Sequence, residues 1–315
     1  MTARVAVVGA TGYTGSETVR WLLGHPLVEV AAVVSSSKAG TPLAEAVPAL
    51  QGFTDLVLQP FDPMALADLD AVFLATPHGI ARELAPALHT PLIIDLSADH
   101  RHADGWVYGQ AEWNAPAIAR ATRIAVPGCF ATAIELALAP LVAACTVSGP
   151  VNVAAATGST GSGATPRAGT HHAERFSNLK AYKVLRHQHV PEIRAFLAGL
   201  GAAPAVHFVP LSAPVDRGIL ATCFVPVADV DAAAIVADAY AEYPLIRLRA
   251  ETPELRHVRG TALCDIAVHQ EGDTAVVLSA IDNLGKGAAA HAVQCLDLAL
   301  GLPAHTGLSA VPPTP

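Results

Sequence analysis

Residues 4–15, RVAVVGATGYTG, constrain the fold more than any other stretch of the chain. A short apolar run ending in glycine reads as a strand buried on both faces. Glycines follow at 9, 12 and 15, and SETVRWLLGH then carries a helical pattern. Strand, glycine turn and helix in that order make half of a βαβ unit, the building block of parallel sheets. The pattern recurs. VEVAAVVSS (28–36) is a second strand, and DAVFLAT (70–76) is another, followed by Pro77-His78-Gly79 and a helix, IARELAPAL. PLIIDLS (91–97) and RIAVPG (123–128) complete the series. This alternation predicts an α/β fold with a doubly wound (Rossmann) parallel sheet, whose ligands bind beyond the carboxyl ends of the strands.

At 315 residues the chain is long for one core and comfortable for two domains. Beyond residue 128 its texture changes. A helix over 131–144 leads to VNVAAATGS and then to a Gly/Ser/Thr/His-rich stretch, TGSTGSGATPRAGTHHAER (157–175). Strands are expected at VHFVPLSAP, GILATCFVPV, ALCDIAVHQ and TAVVLSAID, and an amphipathic helix at GAAAHAVQCLDLALGL. The expected organisation is a cofactor-binding domain of residues 1–128 and 286–315, with the last helix packed back on it. An α+β catalytic and oligomerisation domain with a mixed sheet spans 129–285. The tail from His305, HTGLSAVPPTP, is expected to fray.

The glycine spacing, G-x-x-G-x-x-G, differs from the commonest dinucleotide fingerprint, but the physics is the same. Gly9, Gly12 and Gly15 let the backbone turn and approach a pyrophosphate, whose charge meets a helix N-terminus. Thr11, Tyr13 and Thr14 add hydroxyl donors. An NAD site usually carries Asp or Glu at the end of the second strand. Here that strand ends in Ser35-Ser36-Ser37-Lys38, and Glu29 lies at its wrong end. Hydroxyls and a lysine suit a 2′-phosphate, so NADP(H) is the expected cofactor. Thr76, Pro77 and His78 are expected along the same cofactor, although His78 also reads as a plain turn residue.

In VPGCFATAIELALAPL (126–141), Cys129 follows Pro-Gly and opens a helix. A helix N-terminus lowers a thiol pKa, and its free N–H groups can hold an oxyanion on a carbonyl joined to the sulfur. Cys145, Cys223, Cys264 and Cys295 lie in apolar patterns and read as small core residues. Cysteines this few and widely spaced fit a reducing cytoplasm, with no disulfide framework and no zinc ribbon. No metal-binding spacing of histidines occurs. A dinucleotide with an activated cysteine points to hydride transfer to an acyl thioester. The acid/base partner is sought in YKVLRHQHVPEI, where His187 and His189 would point the same way from an extended segment. Pro191 would then stand at helix N1, with Glu192 in the first turn, able to orient a histidine.

The net charge is −8 and no Lys/Arg-rich block occurs, which argues against nucleic acid and anionic membrane as partners. No signal-peptide pattern or membrane-length apolar run is present. A local basic pocket in an acidic chain still accommodates a small anion.

Together these motifs resemble the N-acetyl-γ-glutamyl-phosphate reductase family, of the aspartate-semialdehyde dehydrogenase-like superfamily. The resemblance runs through GATGYTGSE (9–17), HPLVEV (25–30), LATPHG (74–79), DLSADHR (95–101), PGCFAT (127–132), HQHVPEI (187–193), DRGIL (216–220), CDI (264–266) and IDNLGKGAAAHAVQ (281–294). It implies NADPH-dependent reduction of an N-acyl-glutamyl phosphate to the semialdehyde, with phosphate released, by a homodimer or homotetramer of arginine biosynthesis. It implies Cys129 as nucleophile, an acid/base in the His187-Gln188-His189 segment, His187 before His189, and Arg101 on the substrate carboxylate, where a structural ion pair is the alternative. Ser159, Thr160 and Gly161 would cradle the phosphate through backbone amides and hydroxyls. Asn283 and Lys286 would lie near the nicotinamide, and Arg217 would line the site. Departures from the family occur at PGCFAT, at HQH where HRH is common, and at the extended GSGATPRAGTHHAER. Those last residues resemble N-succinyl and carrier-protein-linked aminoadipyl (lysine-route) relatives, which leaves the acyl group open. The strand-rich domain could pair edge to edge between subunits.

Overall fold

A computed structural model describes residues 2–201, 204–308 and 311. They fall into two compact units, one running to Gly128 and resuming at Ala288, the other from Cys129 to Gly287.

The first unit holds β1 (Ala3–Val8), α1 (Tyr13–Leu23), β2 (Val28–Val34), α2 (Leu43–Ala46), β3 (Ala71–Leu74), α3 (Ile80–Leu84), β4 (Leu92–Asp95), β5 (Val107–Tyr108), α4 (Ala111–Ile118) and β6 (Arg123–Ala125). All its strand pairs are parallel, in the order β2-β1-β3-β4-β6-β5. The winding reverses at β1, so the turns after β1 and β3 flank the switch point where such sheets bind ligands. Ala6, Val8, Ala32, Val34, Val72, Leu74 and Ile93 pack on one face against Ala81, Ala85 and Leu88. The alternate residues Val5, Val7, Val33, Ala71 and Phe73 are buried on the other face. Burial on both faces is why these strands read as unbroken apolar runs.

The second unit holds α5 (Cys129–Ala143), β7 (Val151–Thr157), α6 (His172–Arg175), β8 (Lys180–Ala181), α7 (His189–Leu200), β9 (Val206–Ser212), β10 (Ile219–Pro226), α8 (Ala232–Tyr240), β11 (Ile246–Leu248), β12 (Cys264–Glu271) and β13 (Thr274–Ile281). Its mixed sheet runs β11-β12-β13-β10-β7-β9-β8. Helix α5 is buried all round from Phe130 to Val142 and packs on β10, β13, α7 and α8. A helix apolar on every side must lie inside its unit. The sheet's other face is half open, with Ala154, Ala156, Leu220, Thr222, Val276 and Leu278 partly exposed and Phe224 45% exposed.

Helix α9 (Ala290–Ala299) belongs to the first unit and packs on α1 and α4. It is not the amphipathic helix its sequence suggests. Ala290 to Asp297 are all buried, the polar His291, Gln294 and Asp297 among them. Their polarity is met internally: His291 Nε2 accepts from the Ala111 N–H, Gln294 Nε2 donates to Glu112 Oε1, and Asp297 Oδ1 meets His25 Nε2 at 2.7 Å. The same pair fixes the tail. Asp297 takes backbone bonds from Thr306 and Gly307, and a Cβ on Gly307 would stand 2.0 Å from the His25 ring. The tail is therefore anchored as far as Leu308, itself buried, rather than frayed from His305. Beyond Leu308, all but Val311 lies outside the described residues. Among the described residues no helix is long and apolar enough to cross a membrane.

Candidate active site

The first unit presents the glycine turn. Gly9 has φ +87°, and a Cβ there would stand 2.4 Å from the Ala75 carbonyl oxygen. A Cβ on Gly15 would stand 2.1 Å from the Gly9 oxygen. Both glycines are thus required by backbone crowding. Gly12 is not, because a Cβ there would meet nothing nearer than 3.6 Å. It leaves open the approach to the N-terminus of α1, which no side chain caps. Thr11 Oγ1 lies 3.4 Å from Ser35 Oγ, joining the turn to the end of β2. Tyr13, Ser36 and Lys38 are exposed and Thr14 is half-buried. The Thr76 hydroxyl is buried without a hydrogen-bond partner among the described residues, and Pro77 beside it is exposed. An uncapped helix start, an open glycine and an orphaned hydroxyl at the switch point fit a dinucleotide.

His78 and Asp99 tie the β3 and β4 turns together. His78 Nδ1 accepts from the Ala98 N–H at 3.1 Å. The Asp99 carboxylate accepts from the N–H groups of Gly79 at 2.7 Å and Arg82 at 3.1 Å, capping α3. Burial pushes the Asp99 carboxyl up. Those N–H bonds and the nearby Arg82 and His78 charges outweigh it and leave the group below its ordinary value. Sequence reading passed Asp99 over, since its role appears only when the two turns meet. Asp95 organises the rest of the turn, accepting from Ser97 and facing His100 Nδ1 at 2.7 Å, while His100 stacks on Trp106. Arg101 is next along the chain, half-buried, and its Nε donates to the Val126 carbonyl at 2.9 Å.

In the second unit Cys129 is the first residue of α5 and is partly exposed. The segment after β13 wraps it closely. A Cβ on Gly287 would stand 2.9 Å from the Cys129 Cβ, so only glycine lets that turn pass. The backbone there makes a π-turn over Gly285–Ala289, an irregularity frequent at functional sites. Asp282 holds the turn. Its Oδ1 accepts from Leu284, Gly285 and Arg217, and its Oδ2 from Gly260. Arg217 is thereby fixed in a 2.9 Å ion pair, and Lys286 is fully buried. Cys223, Cys264 and Cys295 are buried, and burial pushes the Cys223 thiol up to about 12. Cys145 is not the core residue expected. It is exposed, with φ 56°, because the chain turns there off the end of α5.

The two histidines are neighbours, but not through an extended segment. The chain turns at Val184–Arg186, and α7 begins at His189, which puts Pro191 third in the helix rather than first. His187 Nδ1 accepts from the His189 N–H at 3.2 Å, so the imidazole satisfies a donor of the helix start. The rings lie 4.6 Å apart, both packed edge-on against Phe130, the residue after Cys129. Burial, then the Lys183 charge, push His187 down to about 4, so it is neutral at pH 7. Glu192 is buried in the first turn of α7. Tyr182 also faces His187, at 5.9 Å between rings. Burial and then the Cys129 charge push its phenol up to about 12, and Arg175 opposes them.

In the Ser159–Gly161 turn, the expected phosphate cradle, the Ser159 and Thr160 donors are engaged internally. Ser159 donates its N–H and hydroxyl to the Val215 carbonyl, and Thr160 donates both of its own to the Asp216 carbonyl. The sharp turn after β7 needs these bonds to lie against residues 215–218. A Cβ on Gly158 would stand 2.5 Å from the Asp216 oxygen. Gly161 is exposed, its N–H engaged only by a long 3.4 Å bond to Gly158. Asn283, expected beside the nicotinamide, is bonded into this turn. Its Oδ1 accepts from the Gly218 N–H at 2.7 Å and its Nδ2 donates to Thr160 Oγ1 at 3.0 Å. Among the described residues no group of three or more His, Cys, Asp or Glu could hold a metal ion.

Comparison with known proteins places the chain in a family. Residues 4–121 match the family model for the semialdehyde dehydrogenase NAD binding domain, and residues 129–283 match that for the semialdehyde dehydrogenase dimerisation domain. The chain is similar to the N-acetyl-γ-glutamyl-phosphate reductase of Salinispora tropica, 42% identical over 98% of each chain. It is 41% identical to that of Neisseria gonorrhoeae over 99% of each. Among solved structures, aspartate semialdehyde dehydrogenase II of Vibrio cholerae, complexed with ASA, superposes with a TM-score of 0.78 at 19% identity over 96% of this chain and 99% of that one. The aspartate semialdehyde dehydrogenase of Candida albicans with NADP gives 0.72 at 16%, over 95% and 98%. The structures share the fold, and the full-length sequence identity fixes the family: the chain belongs to the N-acetyl-γ-glutamyl-phosphate reductases.

Proposed function

We propose that this chain reduces N-acetyl-γ-glutamyl phosphate to N-acetylglutamate 5-semialdehyde and phosphate, using NADPH, in the cytoplasm. The observation that carries the reading is Cys129 at the start of α5, with Tyr182 nearby and both histidines packed on Phe130, the next residue, in a chain of this family. The Cys129 sulfur attacks the γ-carbonyl and phosphate leaves, so the acyl group is held as a thioester. A bound nicotinamide would supply the hydride; the C–S bond to Cys129 then breaks, the aldehyde leaves and the thiolate is restored. The N-terminal end of α5, with its positive dipole end, stabilises the oxyanion formed at the carbonyl.

His189 is the better proton carrier of the pair. His187 has its Nδ1 engaged as an acceptor, so its neutral form carries the proton on Nε2 and its burial resists a charge. We assign it to positioning His189, with Glu192 buried in the same helical turn. Arg101 binds the substrate carboxylate, Arg217 pairs with Asp282 in the turn against Cys129, and Asn283 and Lys286 lie near the nicotinamide. Gly9, Thr11, Gly12, Tyr13, Thr14, Gly15, Ser35, Ser36, Lys38, Thr76, Pro77 and His78 form the NADP(H) site. The first unit is the cofactor domain, and the second carries catalysis and the homo-oligomer contact.

The acyl group is the open element, since GSGATPRAGTHHAER also suits an N-succinyl or carrier-linked aminoadipyl substrate. Phosphate-dependent NADP⁺ reduction tests the reading, with N-acetylglutamate semialdehyde, its N-succinyl analogue and the aminoadipate homologue in parallel. Turnover highest on the N-acetyl substrate and abolished in Cys129→Ala is expected. A Cys129→Ala enzyme that keeps its activity, or a wild type inert with all three, overturns it.

A further inference from the structure

The turn expected to hold the phosphate has its hydroxyls and two of its amides bonded internally, which raises the question of what meets that charge. Residues 161–186 are exposed except for Thr170 and Tyr182, which are half-buried, and Arg175, which is 9% exposed. Arg175 ends the short helix α6 and turns inward alone. Among the described residues its side chain makes one hydrogen bond, from Nη2 to the Thr157 carbonyl at 3.4 Å, a long contact for a guanidinium. No carboxylate lies within 4.0 Å of it among the described residues. Arginine offers five N–H donors, and burying it without an anion is unfavourable.

A second, independent observation lies on Thr157 itself. Its hydroxyl is buried and has no hydrogen-bond partner among the described residues. A Cβ on Gly161 would come within 3.7 Å of that hydroxyl, so the glycine keeps the approach to it open. A third concerns position. A Cβ on Gly161 would also stand 3.9 Å from Asn283 Nδ2, and the segment from Asn283 runs on to Gly287 against Cys129, so the Thr157 hydroxyl and the nucleophile border one segment; the Tyr182 phenol feels the charges of both Cys129 and Arg175. The phosphate of an acyl phosphate is bonded to the carbon that Cys129 attacks, and of the substrate's anionic groups it lies nearest that sulfur.

Resting on the reduction proposed above, we propose that Arg175 and the Thr157 hydroxyl bind the transferred phosphate, as the leaving group in the forward direction and as inorganic phosphate in reverse. Arg175 pairs with the phosphate oxygens through its unused N–H donors, and the threonine hydroxyl donates a further bond. The Ser159–Gly161 turn then shapes the subsite rather than supplying its donors.

The test compares wild type, Arg175→Met, Arg175→Lys and Thr157→Val, all in a Cys145→Ser background so that the exposed Cys145 does not take label. Two readouts are taken. In NADP⁺ reduction of the active aldehyde, Arg175→Met is expected to raise the KM for inorganic phosphate at least tenfold, with the aldehyde KM within twofold. Arg175→Lys should fall between it and wild type, and Thr157→Val should raise the phosphate KM several-fold. In iodoacetamide labelling of Cys129, inorganic phosphate should slow the wild type and leave Arg175→Met unaffected. An unchanged phosphate KM in Arg175→Met overturns the assignment. So does a rise confined to the aldehyde KM, which would place the guanidinium on the N-acyl or carboxylate end. Phosphate protection that is absent in wild type, or that survives in Arg175→Met, overturns it as well. Should Arg175→Met not fold, Arg175→Lys and Thr157→Val decide on the same criteria. A wild type inert with every aldehyde defeats the reaction proposed, while the labelling arm still judges the phosphate site.

Discussion

His187 shows how one position can look chemical in sequence and act through its neighbours in the fold. Two histidines spaced by one residue mark the site, yet spacing cannot say which one exchanges protons. The tertiary structure buries both and separates them by giving the His187 Nδ1 a backbone donor, the His189 N–H. This has a consequence for stability. His187 has a folded value of about 4 against an ordinary 6.5, so between those values the unfolded chain binds more protons than the folded one. Stability is therefore held above pH 6.5 and falls as pH drops toward 4, by roughly 2–3 kcal/mol from this residue at 1.36 kcal/mol per unit. Urea unfolding at pH 7, 5.5 and 4.5 should show this loss, and His187→Gln should show a flatter profile. Tyr182 and Arg175 were legible only as members of a polar stretch. Their relation to Cys129 arises because β8 pairs with β9 and brings 175–182 back across the head of β7.

At the scale of elements, the strands and the glycine turn were readable because burial on two faces leaves a continuous apolar signature. The short elements were not. β5 has two residues and α4 carries Pro116 and a non-helical Asn114, so neither shows a period. Caps supplied from distant turns were equally hidden, and Asp99 on α3 is the case to test. Its carboxyl lies below the ordinary 3.8, so its contribution is present above that value and is lost as pH falls through the folded value. Asp99→Ala should cost about 1 kcal/mol at pH 7, typical of a lost cap, and the gap to wild type should be smaller at pH 3. Thermal unfolding at both pH values measures it. The variant should also raise the KM for NADP⁺, because the capped turn carries His78.

At the scale of the molecule, the second unit's sheet bears on assembly. Its edge strands, β11 and β8, have three and two residues, too short for the edge-to-edge pairing that strand content alone suggested. The half-open face is broader and more apolar, with Phe224 opposite Val276 on β13. A face-to-face homo-oligomer is therefore the expectation. Phe224→Glu should shift the protein toward monomer in size exclusion with light scattering, and a mass equal to that of the wild type would count against this face. The sequence by itself determined the parallel α/β architecture, the glycine turn and the family, because each is written in local periodicity or in a contiguous motif. The tertiary structure alone decided that the Ser159–Thr160 donors are engaged, that Asn283 serves the turn, that α9 is buried and that Arg175 points inward. Those outcomes depend on which distant backbone groups come within hydrogen-bonding reach, and local sequence carries no record of that.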